Sequence, residues 1–318
     1  MPIEIHHLQS TPATDLQAKL AEFERQFDYP LGAGQRFVIS HGDDYTRFFR
    51  AMGNATCLVA EDGAGVLGTL ATVTRLLVTP IGETREVTYL ADLKIAPAVR
   101  GGFVLKRLAL AALAKNRTSA GYSVVMRGTK AVPDAYTNRI GIPAFRLLGA
   151  IDVLRIPVGP EIAVDSISSV ERPLAETDDA FFRLSQGAHA ALGDWATRSE
   201  RGSFSPTGLI AEDGRACGVV EDTLNSKRLF LAGGDELRSA HLSNFAFADA
   251  ASGAVLIRAA LRVARKRLLP ALFSAVPACR TRELLEALQM EDTTCAPADI
   301  YGIGFDAGQP WNINTAEI

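Results

Sequence analysis

Residues 89–115 read YLADLKIAPAVRGGFVLKRLALAALAK, and this stretch decides the fold. Its first part alternates as a β-strand does, and its last part has the apolar spacing of an amphipathic helix. Between them, Arg100, Gly101 and Gly102 form a turn that opens the helix. Backbone N–H groups at a helix start attract anions, and glycines let a phosphate come close to them. A glycine pair alone is more often a structural bend, so the case for an anion site depends on its context.

That context is a repeat of the whole unit about 150 residues later. Three pairs of segments align in the same order: LVAEDG (58–63) with LIAEDG (209–214), YLADLKI (89–95) with HLSNFAF (241–247), and GFVLKRLALAALAK (102–115) with GAVLIRAALRVARK (253–266). The alignment places Asp92 opposite Asn244. Its period is close to a common domain length. The sequence therefore predicts two copies of one domain, residues 1–158 and 159–318, joined near Gly159.

The first copy has the pattern of a mixed sheet flanked by helices. Apolar spacing and plausible caps predict helices at 14–27, 43–52 and 102–117, and alternating or apolar runs predict strands at 57–62, 65–78, 86–95, 122–128 and 151–158. The helix at 102–117 connects two of these strands. Those two strands should therefore be parallel, in an otherwise antiparallel sheet.

The composition is that of a globular protein and argues against several partners. The 318 residues are 47% hydrophobic and 22% charged, and the net charge of −3 gives no global reason to expect a nucleic acid. No apolar run reaches the ~18 residues that a membrane span needs, and residues 1–10 lack a secretion signal. The four cysteines and five histidines show no metal-ligand spacing. We expect a cytoplasmic protein with no metal, nucleic-acid or membrane partner.

The strand YLADLKIAP (89–97), the turn VRGG (99–102) and the following helix resemble the GCN5-related N-acetyltransferase (GNAT) family, here in a tandem two-domain form. The resemblance implies an α/β fold in which each domain has a mixed, mostly antiparallel sheet with a central parallel pair. It also implies acetyl-CoA as co-substrate, with its pyrophosphate at the glycine turn. It assigns the cofactor contacts to Leu93, Ile95, Arg100, Gly101, Gly102, Phe103, Val104 and Asn138. Phe103 and Leu105 stand where the family usually has small residues.

A second segment is similar to the family's motif after the fifth strand. NRIGIPAFRLLGA (138–150) places Asn138 on the cofactor-binding asparagine of that motif. Phe145 falls on the tyrosine that in the family can protonate the departing thiolate. The resemblance therefore leaves Tyr136 as a candidate acid. Copy two has neither the paired glycines nor the asparagine, so we expect it to be degenerate and to bind CoA poorly or not at all.

Asp92 is the carboxylate best placed to act as the general base. In a strict alternation along 86–95, Asp92 and Lys94 share one face with Leu90, and Tyr89 lies on the other face. An ordinary strand-end aspartate paired with a lysine or arginine would fit the same pattern. Glu83 and Glu86 are further carboxylates near this strand. The aromatic cluster at Tyr45, Phe48 and Phe49 either packs in the core or lines the acceptor pocket.

Together these features predict an acyl-CoA-dependent N-acyltransferase that moves an acetyl group from acetyl-CoA to a primary amine of a small molecule or peptide. Two alternatives remain open. One is a CoA-independent acyl or aminoacyl transferase on the same tandem fold, which the irregular Phe103 and Leu105 favour. The other is a non-catalytic ligand-binding or regulatory protein, which Phe145 favours. The sequence is also compatible with a homo-oligomer.

Overall fold

The computed structural model describes residues 3–32, 34–115, 118–129, 132–133, 142–159, 169–231 and 233–318. The helices are α1 (Thr14–Glu24), α2 (Arg47–Arg50), α3 (Phe103–Lys115), α4 (Leu174–Leu184), α5 (Trp195–Ser199), α6 (Ala250–Lys266) and α7 (Thr281–Leu288). The strands of the first half are β1 (Glu4–Leu8), β2 (Tyr29–Gly32), β3 (Gln35–Ser40), β4 (Asn54–Asp62), β5 (Gly65–Val78), β6 (Thr84–Ile95), β7 (Gly121–Met126) and β8 (Arg146–Pro157). Those of the second half are β9 (Ser169–Arg172), β10 (His189–Ala191), β11 (Thr207–Ala211), β12 (Ala216–Glu221), β13 (Arg228–Leu231), β14 (Ala240–Phe247), β15 (Ala271–Pro277), β16 (Thr294–Ile303) and β17 (Trp311–Asn312).

One long mixed sheet runs through both halves. Its strand order is β1-β4-β5-β6-β7-β16-β8-β15-β14-β12-β11-β9, so the two halves have the same order read from opposite edges. The pair β6 and β7 is parallel, and so is the pair β14 and β15, as expected for strands joined by a crossover helix. Most other neighbours on this path are antiparallel. The fold is therefore mixed α/β with two GNAT-like units in tandem.

The two halves exchange their last strands. β16 pairs with β7 of the first half over Gly121–Met126, and β8 pairs with β15 of the second half over Ala271–Pro277. β8 and β16 also pair with each other at the centre of the sheet. The boundary predicted between residues 158 and 159 follows β8 directly, and it stays a prediction.

Helices cover both faces of the first-half sheet, which explains the apolar run in β5. On one face, α3 buries Val104, Leu108 and Ala112 against Leu58 and other residues of the strands. On the other face, α1 and α2 contribute to a larger core that also contains Trp311. Most predicted elements are found with ends shifted by up to three residues. The helix predicted at 43–52 is only the four-residue α2, and β8 begins at Arg146 rather than near 151.

A small second sheet lies over the first half. Its order is β13-β3-β2, so it joins one strand of the second half to two strands of the first. Leu229 of β13 is opposite Ile39 of β3, and Tyr29 of β2 is opposite Phe37 of β3. We call this three-stranded sheet the roof. Across the described part of the chain, we find no helix with the length and apolar character that membrane crossing requires.

Candidate active site

The central feature of the first half is a fork between the parallel strands β6 and β7. They pair only at Thr88 with Gly121 and at Tyr89 with Tyr122. The rings of Tyr89 and Tyr122 stack with centroids 4.9 Å apart and close the base of the fork. Beyond this point a cavity of about 1230 Å³ lies between the strands, lined by both of them, by the start of α3 and by the roof. This volume lies above the roughly 300–1,000 Å³ of ordinary small-molecule sites, so the cavity can hold a large ligand.

A β-bulge turns Asp92 into this cavity. Asp92 has φ of 52°, a left-handed backbone that aspartate tolerates better than most residues, and the pairing register between β5 and β6 shifts between Thr69 and Ala71. The strict alternation expected from the sequence is therefore wrong past Ala91. Asp92 and Lys94 lie on the same side as Tyr89, whereas Leu90 packs under α3.

The glycine turn lies at one end of the cavity. Arg100, Gly101 and Gly102 line it, and Gly101 has φ of +82°. A Cβ at Gly101 would meet no other atom within 4 Å, but a side chain at this φ would be strained. The first turn of α3 contains no acidic residue, so its N–H groups meet no local carboxylate. The arrangement can accept an anionic group such as a phosphate.

The other predicted cofactor residues have different positions. Leu93 and Ile95 line the same cavity. Phe103 is 73% exposed, so its ring does not fill the turn. Val104 is buried on the face of α3 that packs against the sheet. Asn138, and the candidate acid Tyr136, lie outside the described residues.

Asp92 is held by three side chains. Its Oδ2 accepts a hydrogen bond of 2.5 Å from the Tyr45 hydroxyl, and its Oδ1 lies 2.6 Å from Lys94 Nζ. Thr69 Oγ1 donates to the Asp92 carbonyl at 2.9 Å and lies 3.3 Å from Oδ2. Burial alone would raise the pKa of Asp92, but Lys94 and the other partners lower it overall. Asp92 is therefore a stable carboxylate and a weak proton acceptor.

Lys94 connects Asp92 to a second buried pair. Its Nζ lies 3.8 Å from Glu24 Oε1, and Glu24 accepts hydrogen bonds from both the ring and the backbone N–H of His41. Ligand atoms of Glu24, His41 and Asp92 come within 4.8 Å of one another, the spacing of a metal site. The ammonium of Lys94 already supplies the positive charge between the two carboxylates. We therefore interpret the group as an ion-pair network, not as metal ligands.

The aromatic cluster predicted at 45–49 both packs and lines the cavity. Phe48 and Phe49 are buried, and both belong to the main core and to the cavity wall. Lys227, from the segment before β13, lies over the Phe48 ring with Nζ 4.5 Å from its centroid. Its Nζ also donates to the carbonyl oxygen of Ile318. The second half therefore contributes directly to this cavity.

Glu317 anchors the segment that ends beside Lys227. Its carboxylate lies 2.9 Å from Arg75, 3.6 Å from Arg198 and 3.7 Å from Arg201, all buried. Its carbonyl oxygen accepts a 3.0 Å hydrogen bond from the hydroxyl of Tyr89 at the base of the fork. Burial would raise the pKa of Glu317, but the three guanidinium charges lower it to about 2. This cluster ties the fork to the second half.

The equivalent place in the second half is filled by the protein itself. Asp249 caps α6 and accepts a 2.9 Å hydrogen bond from the backbone N–H of Ser252. Arg215 lies 2.7 Å from the same carboxylate. A Cβ at Gly253 would lie 2.9 Å from the Phe247 ring, so that ring covers the start of α6. The start of α6 is therefore capped by a carboxylate of the protein itself, whereas the first turn of α3 has no acidic residue.

Sequence reasoning missed several residues of this site. Glu24, His41, Lys94, Lys227 and Glu317 come from separate elements, and their spacing along the chain shows no motif. The only local signal was the polar Lys94 in an otherwise apolar strand end. Burial of so many charged side chains becomes visible only when the elements are packed together.

Comparison with known proteins supports the fold. No protein-family model and no curated protein matches the sequence. Saccharomyces cerevisiae N-myristoyltransferase, with bound myristoyl-CoA and inhibitors, matches with a TM-score of 0.63 and 9% identity over 99% of this chain and 84% of that one. A second structure of that protein, with bound myristoyl-CoA, gives a TM-score of 0.62 at 9% identity over 99% and 87%.

A protein from Enterococcus faecalis V583, described as a probable N-acyltransferase, gives a TM-score of 0.53 at 9% identity over 95% of this chain and 72% of that one. At such identities the likeness is one of fold alone. The TM-scores and the coverage agree with the fold that the sequence resemblance implies. The chain has a tandem GNAT-like fold, similar to that of N-myristoyltransferase.

Proposed function

We propose that the protein is an acyl-CoA-dependent N-acyltransferase that binds the donor in its first half. The observation that carries this proposal is the fork between β6 and β7, which opens onto the glycine-rich start of α3, whose first turn contains no acidic residue. Arg100 and Gly101 provide a place for the pyrophosphate, and the fork provides a place for the pantetheine and acyl group. The bound myristoyl-CoA of the yeast structures supports an acyl-CoA donor.

The reaction is aminolysis of a thioester. The amine nitrogen forms a bond to the acyl carbon, the C–S bond breaks, and the nitrogen loses a proton while CoA leaves as a thiolate. Positioning and proton transfer dominate such a step. The sequence assigns the base to Asp92, which lines the cavity but whose two carboxylate oxygens are already engaged by Tyr45 and Lys94. Phe145 also lines the cavity and cannot donate a proton to the thiolate.

The sequence predicts that the transferred group is acetyl. The lining of the cavity favours a longer acyl chain instead. Part of its wall is apolar, with contributions from Phe48, Val124, Met126, Val153 and Phe273. Apolar surface of this kind stabilises methylene groups by about 0.8 kcal/mol each when they are fully buried. We therefore propose that donors longer than acetyl-CoA bind more tightly.

The test is a calorimetric titration with acetyl-, octanoyl- and myristoyl-CoA, followed by release of free CoA in the presence of primary amines. The amines are free amino acids, short peptides and alkyl diamines. We expect binding of all three donors, with affinity rising with chain length. Equal affinities would support acetyl transfer. No binding would refute the proposal and favour the CoA-independent or ligand-binding alternatives.

A further inference from the structure

His41 is a buried histidine in the cavity wall that the sequence did not mark as catalytic. It follows β3 of the roof, lines the cavity and is 2% exposed. Its ring lies 5.1 Å from Tyr45 and 5.1 Å from Phe49, centroid to centroid. Phe48 is 5.4 Å away on the same basis. Three aromatic rings therefore hold the imidazole in one orientation.

Glu24 fixes which ring nitrogen carries the proton. The ring Nδ1–H of His41 donates to Glu24 Oε1, and the backbone N–H of His41 donates to Oε2 at 3.1 Å. A carboxylate only accepts hydrogen bonds, so Nδ1 keeps its hydrogen in the neutral ring and Nε2 keeps its lone pair. A carboxylate behind an imidazole is the usual arrangement for a histidine that accepts protons.

Asp92 is poorly suited to the same task. Both of its carboxylate oxygens are engaged, one by the Tyr45 hydroxyl at 2.5 Å and the other by Lys94 at 2.6 Å. Its negative charge nevertheless lies within 4.8 Å of the His41 and Glu24 ligand atoms. A nearby carboxylate stabilises a protonated imidazole.

We infer that His41 accepts the proton of the acceptor amine, with Glu24 as its positioning residue; this inference rests on the proposed function. Nε2 takes the proton as the amine nitrogen attacks the thioester carbon. The C–S bond then breaks, and the proton passes from Nε2 to the departing CoA sulfur or to solvent. The charges around the ring are Glu24 from α1 and Asp92 and Lys94 from β6, with the hydroxyl of Tyr45 nearby.

The first test compares His41→Asn with the wild type, and with His7→Asn as a matched control on the exposed edge of β1. We expect His41→Asn to lower kcat by ~10²–10⁴-fold, the range for a positioned base, while the acyl-CoA affinity is unchanged. The acidic limb of the pH–rate profile should disappear. His7→Asn should keep both the rate and the limb.

Glu24→Gln tests the positioning role. Removing the carboxylate charge disfavours the imidazolium, so the acidic limb of the pH–rate profile should move to lower pH. A purely structural role for Glu24 would lower stability without moving the limb. Full activity in His41→Asn, or a loss of acyl-CoA binding in that variant, overturns the inference.

A second measurement does not depend on turnover. Nitrogen chemical shifts of the imidazole rings in the unliganded full chain report which nitrogen carries the proton. We expect the neutral ring of His41 to be protonated on Nδ1. Protonation on Nε2 would overturn the inference even if the protein is active. A wild-type protein that transfers no acyl group would instead refute the proposed function.

Discussion

Asp92 and Asn244 share a left-handed backbone, with φ of 52° and 47°, at the same place in the equivalent strands β6 and β14. Each lies beside a shift in pairing register. In the second half, the backbone N–H of Asn244 donates to Asn314 at 2.7 Å, so the chain itself fills that position. In the first half, Asp92 faces the cavity. The duplicated bulge therefore has a structural role in one half and is open to a ligand in the other.

Tyr45→Phe should destabilise the protein by about 1–3 kcal/mol, because it removes a donor from the buried carboxylate of Asp92. Denaturant unfolding at neutral pH measures this loss. The same substitution in an Asp92→Asn background should cost less, because the charged acceptor is already gone. Equal costs in the two backgrounds would show that the hydrogen bond contributes nothing to stability.

Asp92→Asn separates the two candidate bases. We expect turnover to fall by ~10–100-fold, because about 1–3 kcal/mol of charge stabilisation of the imidazolium is lost. The acidic limb of the pH–rate profile should remain, since His41 provides it. If Asp92 is itself the base, as the sequence predicts, the limb disappears in this variant and persists in His41→Asn.

Arg100→Glu should weaken acyl-CoA binding by about 1–3 kcal/mol, the range for a lost charge-assisted contact. Calorimetry measures the change directly. The matched control is Arg282→Glu, on an exposed arginine of α7 in the second half, which should leave the affinity unchanged. An unchanged affinity in Arg100→Glu would mean that the turn is only structural.

Glu317→Gln should destabilise the protein by about 3–5 kcal/mol at neutral pH, because it leaves the buried Arg75 without its charged partner. The pKa of Glu317 is lowered to about 2 in the folded protein. The carboxylate therefore contributes fully to folding stability at pH values above its pKa in the unfolded chain. That contribution is lost as the pH falls from about 4.5, the ordinary value for glutamate, towards 2. Denaturant unfolding of both proteins at pH 7 and pH 3 measures this. A stability difference that does not shrink at pH 3 would contradict the assignment.

Much of the fold could be predicted from local patterns. The alternation of 86–95, the glycines before α3 and the repeat of the strand and the helix in the second half identify the elements and their order. The exchange of β8 and β16 could not be predicted, because an apolar strand shows no preference between two equivalent sheets. The bulge at Asp92 was also hidden, since nothing in an alternating pattern marks an extra residue.

The site could be predicted only where one segment builds it. Arg100, Gly101 and Gly102 are adjacent in sequence and line the cavity together. Glu24 and His41 are 17 residues apart on different elements, and only packing brings them together. In a single sequence, charged residues that far apart along the chain are interpreted as solvent-exposed surface residues. The network around Asp92 therefore needed the structure.

The central claim is that one acyl-CoA binds per chain, at the fork of the first half. Isothermal titration of the full chain with myristoyl-CoA tests it most directly. We expect a stoichiometry of one and a loss of affinity in Arg100→Glu. A stoichiometry of two, or binding that Arg100→Glu leaves intact, would contradict it.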